Sequence, residues 1–175
     1  NDFRNRLITH YAIQMYTKGY FPILILVRLI EHGKKLCKML EANIDARVVF
    51  LKSQSHNVED YTQLRQDIDE GKVGFVVATS VADEGVDLPN VRTLILAGAS
   101  KSTVKAIQRV GRVLRTTSSK DRAFIFDFDD KTRFFKSAAL SRFNMYLSEG
   151  FEVKVVTPDI SSINVQFSDS SWDSV

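Results

Sequence analysis

The sequence predicts an α/β domain in which a mainly parallel β-sheet is flanked by helices. Short runs rich in β-branched and aromatic residues alternate along the chain with longer stretches of helical periodicity. Several of the short runs are apolar at every position, as expected of strands covered on both faces. The chain has 175 residues, 44% of them hydrophobic, which suits one domain with a sizeable core. In a sheet of this kind, ligands are expected at the carboxyl ends of the strands.

Taken in order, a helix is expected over Phe3 to Lys18, followed by the continuously apolar strand Ile23 to Val27 and a helix over Ile30 to Ala42. A strand over Arg47 to Leu51 leads to a helix over Val58 to Glu70, then strands over Gly74 to Ala78 and Arg92 to Ala97. A helix over Thr103 to Leu114 precedes a strand over Ala123 to Phe128, a helix over Lys131 to Ser148 and a sixth strand over Glu152 to Val156. After Thr157 the composition turns to Ser, Asp and isolated apolar residues. The domain is therefore drawn over 1–156, with 157–175 as a flexible tail in which Trp172 is an isolated aromatic.

Lys and Arg number 24 against 21 Asp and Glu, a formal net charge of +3, so any nucleic-acid binding has to come from local clustering. The single cysteine, Cys37, excludes an intramolecular disulfide and fits a core position in a protein of a reducing compartment. No apolar run approaches the roughly 20 residues that span a bilayer, and no signal-peptide pattern opens the chain. A soluble protein of the cytoplasm is expected, without a membrane partner. The first residue is Asn1 rather than Met, as in a piece of a longer polypeptide.

The run Gln108-Arg109-Val110-Gly111-Arg112-Val113-Leu114-Arg115 is the most informative in the chain. At about 100° per residue it places Gln108, Arg112 and Arg115 on one stripe of a helix and Ile107, Val110, Val113 and Leu114 on the other side. Guanidinium is permanently charged and planar and grips phosphate oxygens with two parallel hydrogen bonds, so two of them one turn apart suit a nucleotide phosphate chain. Gly111 costs about 1 kcal/mol of helix stability relative to Ala, which makes sense where backbone or ligand comes close. A solvated basic face would show the same stripe.

A second constellation lies upstream, where the strand ending at Ala78 runs into Thr79-Ser80-Val81-Ala82-Asp83-Glu84-Gly85-Val86-Asp87. Here a hydroxyl stands at a strand end, Gly85 permits close backbone approach, and the Asp87 carboxylate can accept hydrogen bonds from sugar hydroxyls. Read singly, Thr79 could cap a helix and Asp87 could form a turn.

Together the two runs resemble motifs V and VI of superfamily 2 helicases, in the second RecA-like domain. Motif VI reads Gln-x-x-Gly-Arg-x-x-Arg and is complete at Gln108, Gly111, Arg112 and Arg115, and motif V fits at Thr79, Gly85 and Asp87. The resemblance covers about residues 20 to 130. It extends to the strand and helix of motif IV at Pro22 to Leu40, and the surroundings Lys101 to Lys105, Phe126 to Asp130, Arg142, Tyr146 and Gly150-Phe151 are similar to phage DNA helicases of recombination and repair. One departure stands at Lys52-Ser53-Gln54-Ser55 and Tyr61, where the family has Gly with Ser or Thr and then an Arg opening the helix.

The resemblance implies a RecA-like fold and a role as the carboxyl-terminal motor domain of an ATP-dependent helicase or translocase, DNA being favoured over RNA as its track. It implies that Arg112 and Arg115 act as arginine fingers beside Gln108, that Gly85, Asp87 and Gly111 line the nucleotide, and that Thr79, Lys52, Ser53, Ser55, Lys101 and Ser102 meet the nucleic-acid backbone. No Gly-x-x-x-x-Gly-Lys-Ser/Thr loop is present, since Gly33-Lys34-Lys35 does not qualify, and Asp69-Glu70 and Asp83-Glu84 read as helix-end and loop acids. The P-loop and Mg2+ are accordingly expected on an amino-terminal RecA-like domain of the same polypeptide. This chain alone is expected to be monomeric and to hydrolyse nothing. The alternatives are a non-catalytic RecA-like binding module, or the motor of a restriction system or an RNA-sensing helicase.

Other features are read as structural. His10, His32 and His56 lack metal-ligand spacing. Asp127, Asp129 and Asp130 are expected to cap the helix opening near Lys131. Phe134, Phe135, Phe143 and Tyr146 fit helical packing better than base stacking.

Overall fold

The computed structural model describes residues 2–52, 58–79, 91–98, 107, 108, 122–128, 136–159, 161 and 163–165. Within them, α1 (Asp2–Thr17), β1 (Ile23–Leu26), α2 (Ile30–Asn43), β2 (Val48–Leu51), α3 (Val58–Asp69), β3 (Phe75–Ala78), β4 (Thr93–Leu96), β5 (Phe124–Asp127) and α4 (Lys136–Ser148) follow in sequence. The strands form one sheet in the order β2-β3-β1-β4-β5, and every neighbouring pair is parallel.

Burial explains why the three inner strands carry no polar alternation. β1, β3 and β4 are buried at all four positions because helices cover both of their faces, whereas edge strands β2 and β5 are mostly half-buried. The two-residue period sorts their side chains into two layers. Ile23, Ile25, Phe75, Val77 and Ile95 pack with Ile8, Ala12 and Met15 of α1 and Leu36 and Leu40 of α2. Leu24, Leu26, Val76, Leu94 and Leu96 pack on the opposite face with Leu64 and Ile68 of α3, with Ile107, and with Tyr146 of α4.

Helices α1, α3 and α4 end in one turn geometry. The N–H of Tyr20, Lys72 and Phe151 donates to the carbonyl of Met15, Asp67 and Tyr146, while the N–H of Gly19, Gly71 and Gly150 donates to Tyr16, Ile68 and Leu147. Each of these glycines has a positive φ of 72–83°, the left-handed closure that stops a helix and satisfies its last carbonyls.

At the amino end of the sheet, Asp67 of α3 accepts hydrogen bonds from the Arg47 guanidinium and from Gln63 Nε2 at 3.0 Å, with its side chain 9% exposed. Arg47 also offers its carbonyl to the N–H groups of Gly74 and Phe75, so one ion pair ties α3 to the starts of β2 and β3. The Arg47 and Gln63 hydrogen bonds hold the Asp67 carboxyl below its ordinary 3.8. A depressed folded-state pKa contributes stability above the unfolded value and loses it as pH falls through the folded one. The urea midpoint of the wild type should therefore exceed that of Asp67→Asn at neutral pH, with the gap closing as pH drops below about 4. A gap independent of pH would show that the charge on Asp67 contributes nothing.

The sixth strand expected over Glu152 to Val156 is not formed. Residues 151–159 carry no strand, and Val155 and Val156 are 87% and 58% exposed. Among the described residues the β-propensity of Val-Lys-Val-Val finds no strand partner, and Phe151 and Val153 turn inward to the α3–α4 layer. Past it, Val165 is buried at 8% exposure.

Candidate functional site

Register places Leu51, Ala78, Leu26, Leu96 and Asp127 in one row across the carboxyl end of the sheet. The residues that follow them define the edge where the site was expected. Thr79 leaves β3 in a bend, half-buried, and its N–H donates to the Leu51 carbonyl at 3.2 Å, which brings it beside the half-buried Lys52. These two residues come from segments separated by α3, and only the parallel pairing of β2 with β3 unites them.

Ile107 and Gln108 are helical; Ile107 is fully buried in the α3–α4 layer and Gln108 is exposed. Ser53, Ser55, Gly85, Asp87, Lys101, Ser102, Gly111, Arg112 and Arg115 lie outside the described residues, as do Asp129 and Asp130.

Past the carboxyl ends of β1 and β4 the two backbones come close. The N–H groups of Ala97 and Gly98 both donate to the Leu26 carbonyl, and a Cβ on Gly98 would stand 2.7 Å from the Arg28 backbone nitrogen. Arg4 of α1 reaches over this junction, donating from Nη2 to the Ala97 carbonyl at 3.2 Å with its guanidinium 5.8 Å from the Phe128 ring centroid. Beside it, His32 and Asn5 share a hydrogen bond of 2.9 Å between Nε2 and Oδ1. Burial, reinforced by the positive charge of Arg4, lowers the pKa of His32 and favours its neutral ring. Sequence spacing could not single these residues out, because Arg4 and Ala97 are 93 positions apart.

Asp127 takes its described partners from α4, while the helix start near Lys131 that it was expected to cap lies outside the described residues. Its carboxylate accepts a two-pronged contact from Arg142, Nε to Oδ2 at 2.7 Å and Nη2 to Oδ1 at 3.1 Å, and Oδ2 also accepts from the Tyr146 hydroxyl at 2.8 Å. Burial, followed by the nearby carboxylate, pushes the Tyr146 hydroxyl well above its ordinary range, so it remains a donor. On the other face, burial and then Glu41 push the Cys37 thiol up to about 12, which makes it a packing residue rather than a nucleophile at neutral pH.

Among the described residues no group of three or more His, Cys, Asp or Glu is placed to hold a metal ion, and no helix is long and apolar enough to cross a membrane.

A parallel five-stranded sheet covered on both faces, with motif V opening from the end of β3, defines a RecA-like domain of the superfamily 2 helicase type. The chain belongs to the helicase conserved C-terminal domain family, whose model matches residues 7–117. It is 34% identical over 107 residues to a protein of the Sulfolobus islandicus filamentous virus that bears a helicase name, covering 61% of this chain and 19% of that protein. It is 27% identical over 128 residues to the ATP-dependent DNA helicase uvsW of Enterobacteria phage T4, covering 73% of this chain and 25% of the relative. The crystal structure of T4 UvsW superposes with a TM-score of 0.62 at 23% identity, over 86% of this chain and 33% of that one. The chain thus spans about a fifth to a quarter of the length of these two curated relatives.

Proposed function

We propose that this chain is the carboxyl-terminal motor domain of an ATP-dependent superfamily 2 DNA helicase or translocase. The observation that carries the reading is that the family match over 7–117 encloses both Thr79 to Asp87 and Gln108 to Arg115. Thr79 and Lys52 at the carboxyl edge of the sheet support it, because this is where a parallel α/β sheet receives its ligands.

In this reading ATP lies between this domain and a P-loop domain of the same polypeptide. Arg112 and Arg115 reach the terminal phosphate, where fixed positive charge stabilises the transferring phosphoryl group, an effect worth roughly a thousandfold to a hundred-thousandfold in rate. Gln108 stands beside them, while Gly85, Asp87 and Gly111 line the ribose and phosphate side. Magnesium is held by the P-loop domain. Thr79, Lys52, Ser53, Ser55, Lys101 and Ser102 hold the nucleic-acid backbone, contacts that tolerate every base and let the domain step. DNA is favoured as the track because the phage relative is named a DNA helicase.

The test compares two purified proteins with ATP, magnesium and single-stranded DNA. The chain alone should show no ATP hydrolysis above background, and the polypeptide joining it to its P-loop domain should show DNA-stimulated hydrolysis. Robust turnover by the chain alone would overturn the division of labour. DNA-insensitive silence of the joined polypeptide would favour a binding module.

A further inference from the structure

Helix α4 carries a second apolar face, turned to solvent. Leu140, Phe143 and Leu147 are 61%, 37% and 52% exposed, and at about 100° per residue they fall within about 60° of one another. Arg142, Met145 and Tyr146 occupy the far side of the helix, where Met145 and Tyr146 pack into the α3–α4 layer and Arg142 and Tyr146 grip Asp127. A helix apolar on both sides has the pattern of one buried between two layers. Phe143 departs here from the expected packing, since Tyr146 enters the core while Phe143 stays exposed.

The chemistry of this face narrows what covers it. Its other exposed residues, Ser141, Asn144 and Ser148, are short and uncharged, and Arg142, the one charged residue from Leu140 to Ser148, is held inward by Asp127. A nucleic-acid strand needs cations for its phosphates, whereas the core of a protein interface is depleted of charge. Three partly exposed side chains offer far less than the ~800 Å² per partner of a stable complex between free molecules, which argues against a second copy. Within one polypeptide a contact of this size suffices, because a tether keeps the two surfaces at an effective concentration of about millimolar. A spacing of three and then four residues is the seam along which a second helix packs.

Position favours one such partner. Asp127 ends β5 in the carboxyl row of the sheet, so the two turns of α4 that grip it carry the stripe at the level of that edge. The chain spans about a fifth to a quarter of its two curated relatives, which leaves most of their polypeptide to supply a partner. We propose that Leu140, Phe143 and Leu147 form a docking surface for an apolar helix face of the P-loop domain in the same polypeptide. This rests on the reading of the chain as one of two motor domains that meet at the carboxyl edge of the sheet.

The experiment uses the polypeptide that joins this domain to its P-loop domain. A benzophenone-bearing phenylalanine in place of Phe143 should, on illumination, form an intramolecular bond that mass spectrometry locates on a helix of the P-loop domain. Leu140→Gln combined with Leu147→Gln keeps good helix formers in α4. This pair should lower the melting temperature of the joined polypeptide by about 3 °C or more and shift that of the chain alone, where the stripe is exposed, by less than about 1 °C. Bonds only to a second polypeptide or to added DNA, no bond at all, or equal melting shifts in the two proteins would overturn the assignment. Absence of DNA-stimulated hydrolysis in the unsubstituted joined polypeptide would overturn the motor reading instead, a result scored separately because the crosslink is read without turnover.

Discussion

On the proposed reading, in a polypeptide joining this chain to its P-loop domain, Arg112→Ala or Arg115→Ala is expected to lower nucleic-acid-stimulated ATP turnover by at least about a hundredfold, equivalent to about 2.7 kcal/mol of transition-state stabilisation. The charge on the terminal phosphoryl oxygens grows along the reaction, so a guanidinium aimed there acts on kcat more than on ground-state binding. Of the expected stripe, Gln108 is described, and it is exposed beside the buried Ile107. Arg112→Lys should rescue little, since an ammonium is a compact point charge that cannot reproduce the planar two-pronged grip. Circular dichroism and melting temperature should match the wild type, because a residue reaching outward to ligand contributes little to the core. Undiminished turnover in either alanine variant would remove the finger assignment.

The largest stability effect is expected at Phe75, where truncation to Ala should cost about 3–5 kcal/mol in urea unfolding. Phe75 is fully buried in β3, between β2 and β1, and its ring stacks on Tyr16 of α1 at 5.1 Å between centroids. The same Tyr16 ring packs against the adjacent Gly74, where a Cβ would stand 2.7 Å from it. Removing the Phe75 ring leaves a void between the sheet and α1 that close-packed neighbours fill only in part. A domain of ordinary stability, about 5–15 kcal/mol, keeps little margin after such a loss. Val155→Ala provides the internal comparison, because a side chain 87% exposed should change stability by less than about 0.5 kcal/mol. A loss under about 1 kcal/mol for Phe75→Ala would contradict the packing of the α1–α2 layer.

The elements that could be read from the chain are those whose pattern has a local cause. Ile23 to Leu26, Phe75 to Ala78 and Thr93 to Leu96 are dominated by apolar residues and lie in the sheet interior. Helix α2 begins at Ile30, as its periodicity predicts. The expected strand over Glu152 to Val156 failed because strand propensity reports fitness for a half-buried pleated surface, and at Val155 and Val156 no such surface is formed. A missed local signal lay at Gly19, Gly71 and Gly150, each two residues past a helix and each in the left-handed closure that ends it.

The candidate site divides along the same line. Motifs V and VI are contiguous runs, so their residue types and spacing can be recognised along the chain without knowledge of the fold. The contacts that unite distant segments are not recoverable in that way. Nothing in the order of residues announces that Thr79 meets the Leu51 carbonyl, that Arg4 crosses to Ala97, or that Asp127 meets Arg142 and Tyr146. Periodicity thus predicted the α/β class, because helix and strand patterns arise between near neighbours in sequence, while the family was recognised from the resemblance of two contiguous motifs. The strand order β2-β3-β1-β4-β5 and the partners of each buried charge followed from folding alone, because parallel strands pair across long intervening segments and a desolvated charge takes whatever partner the packed layers bring within reach.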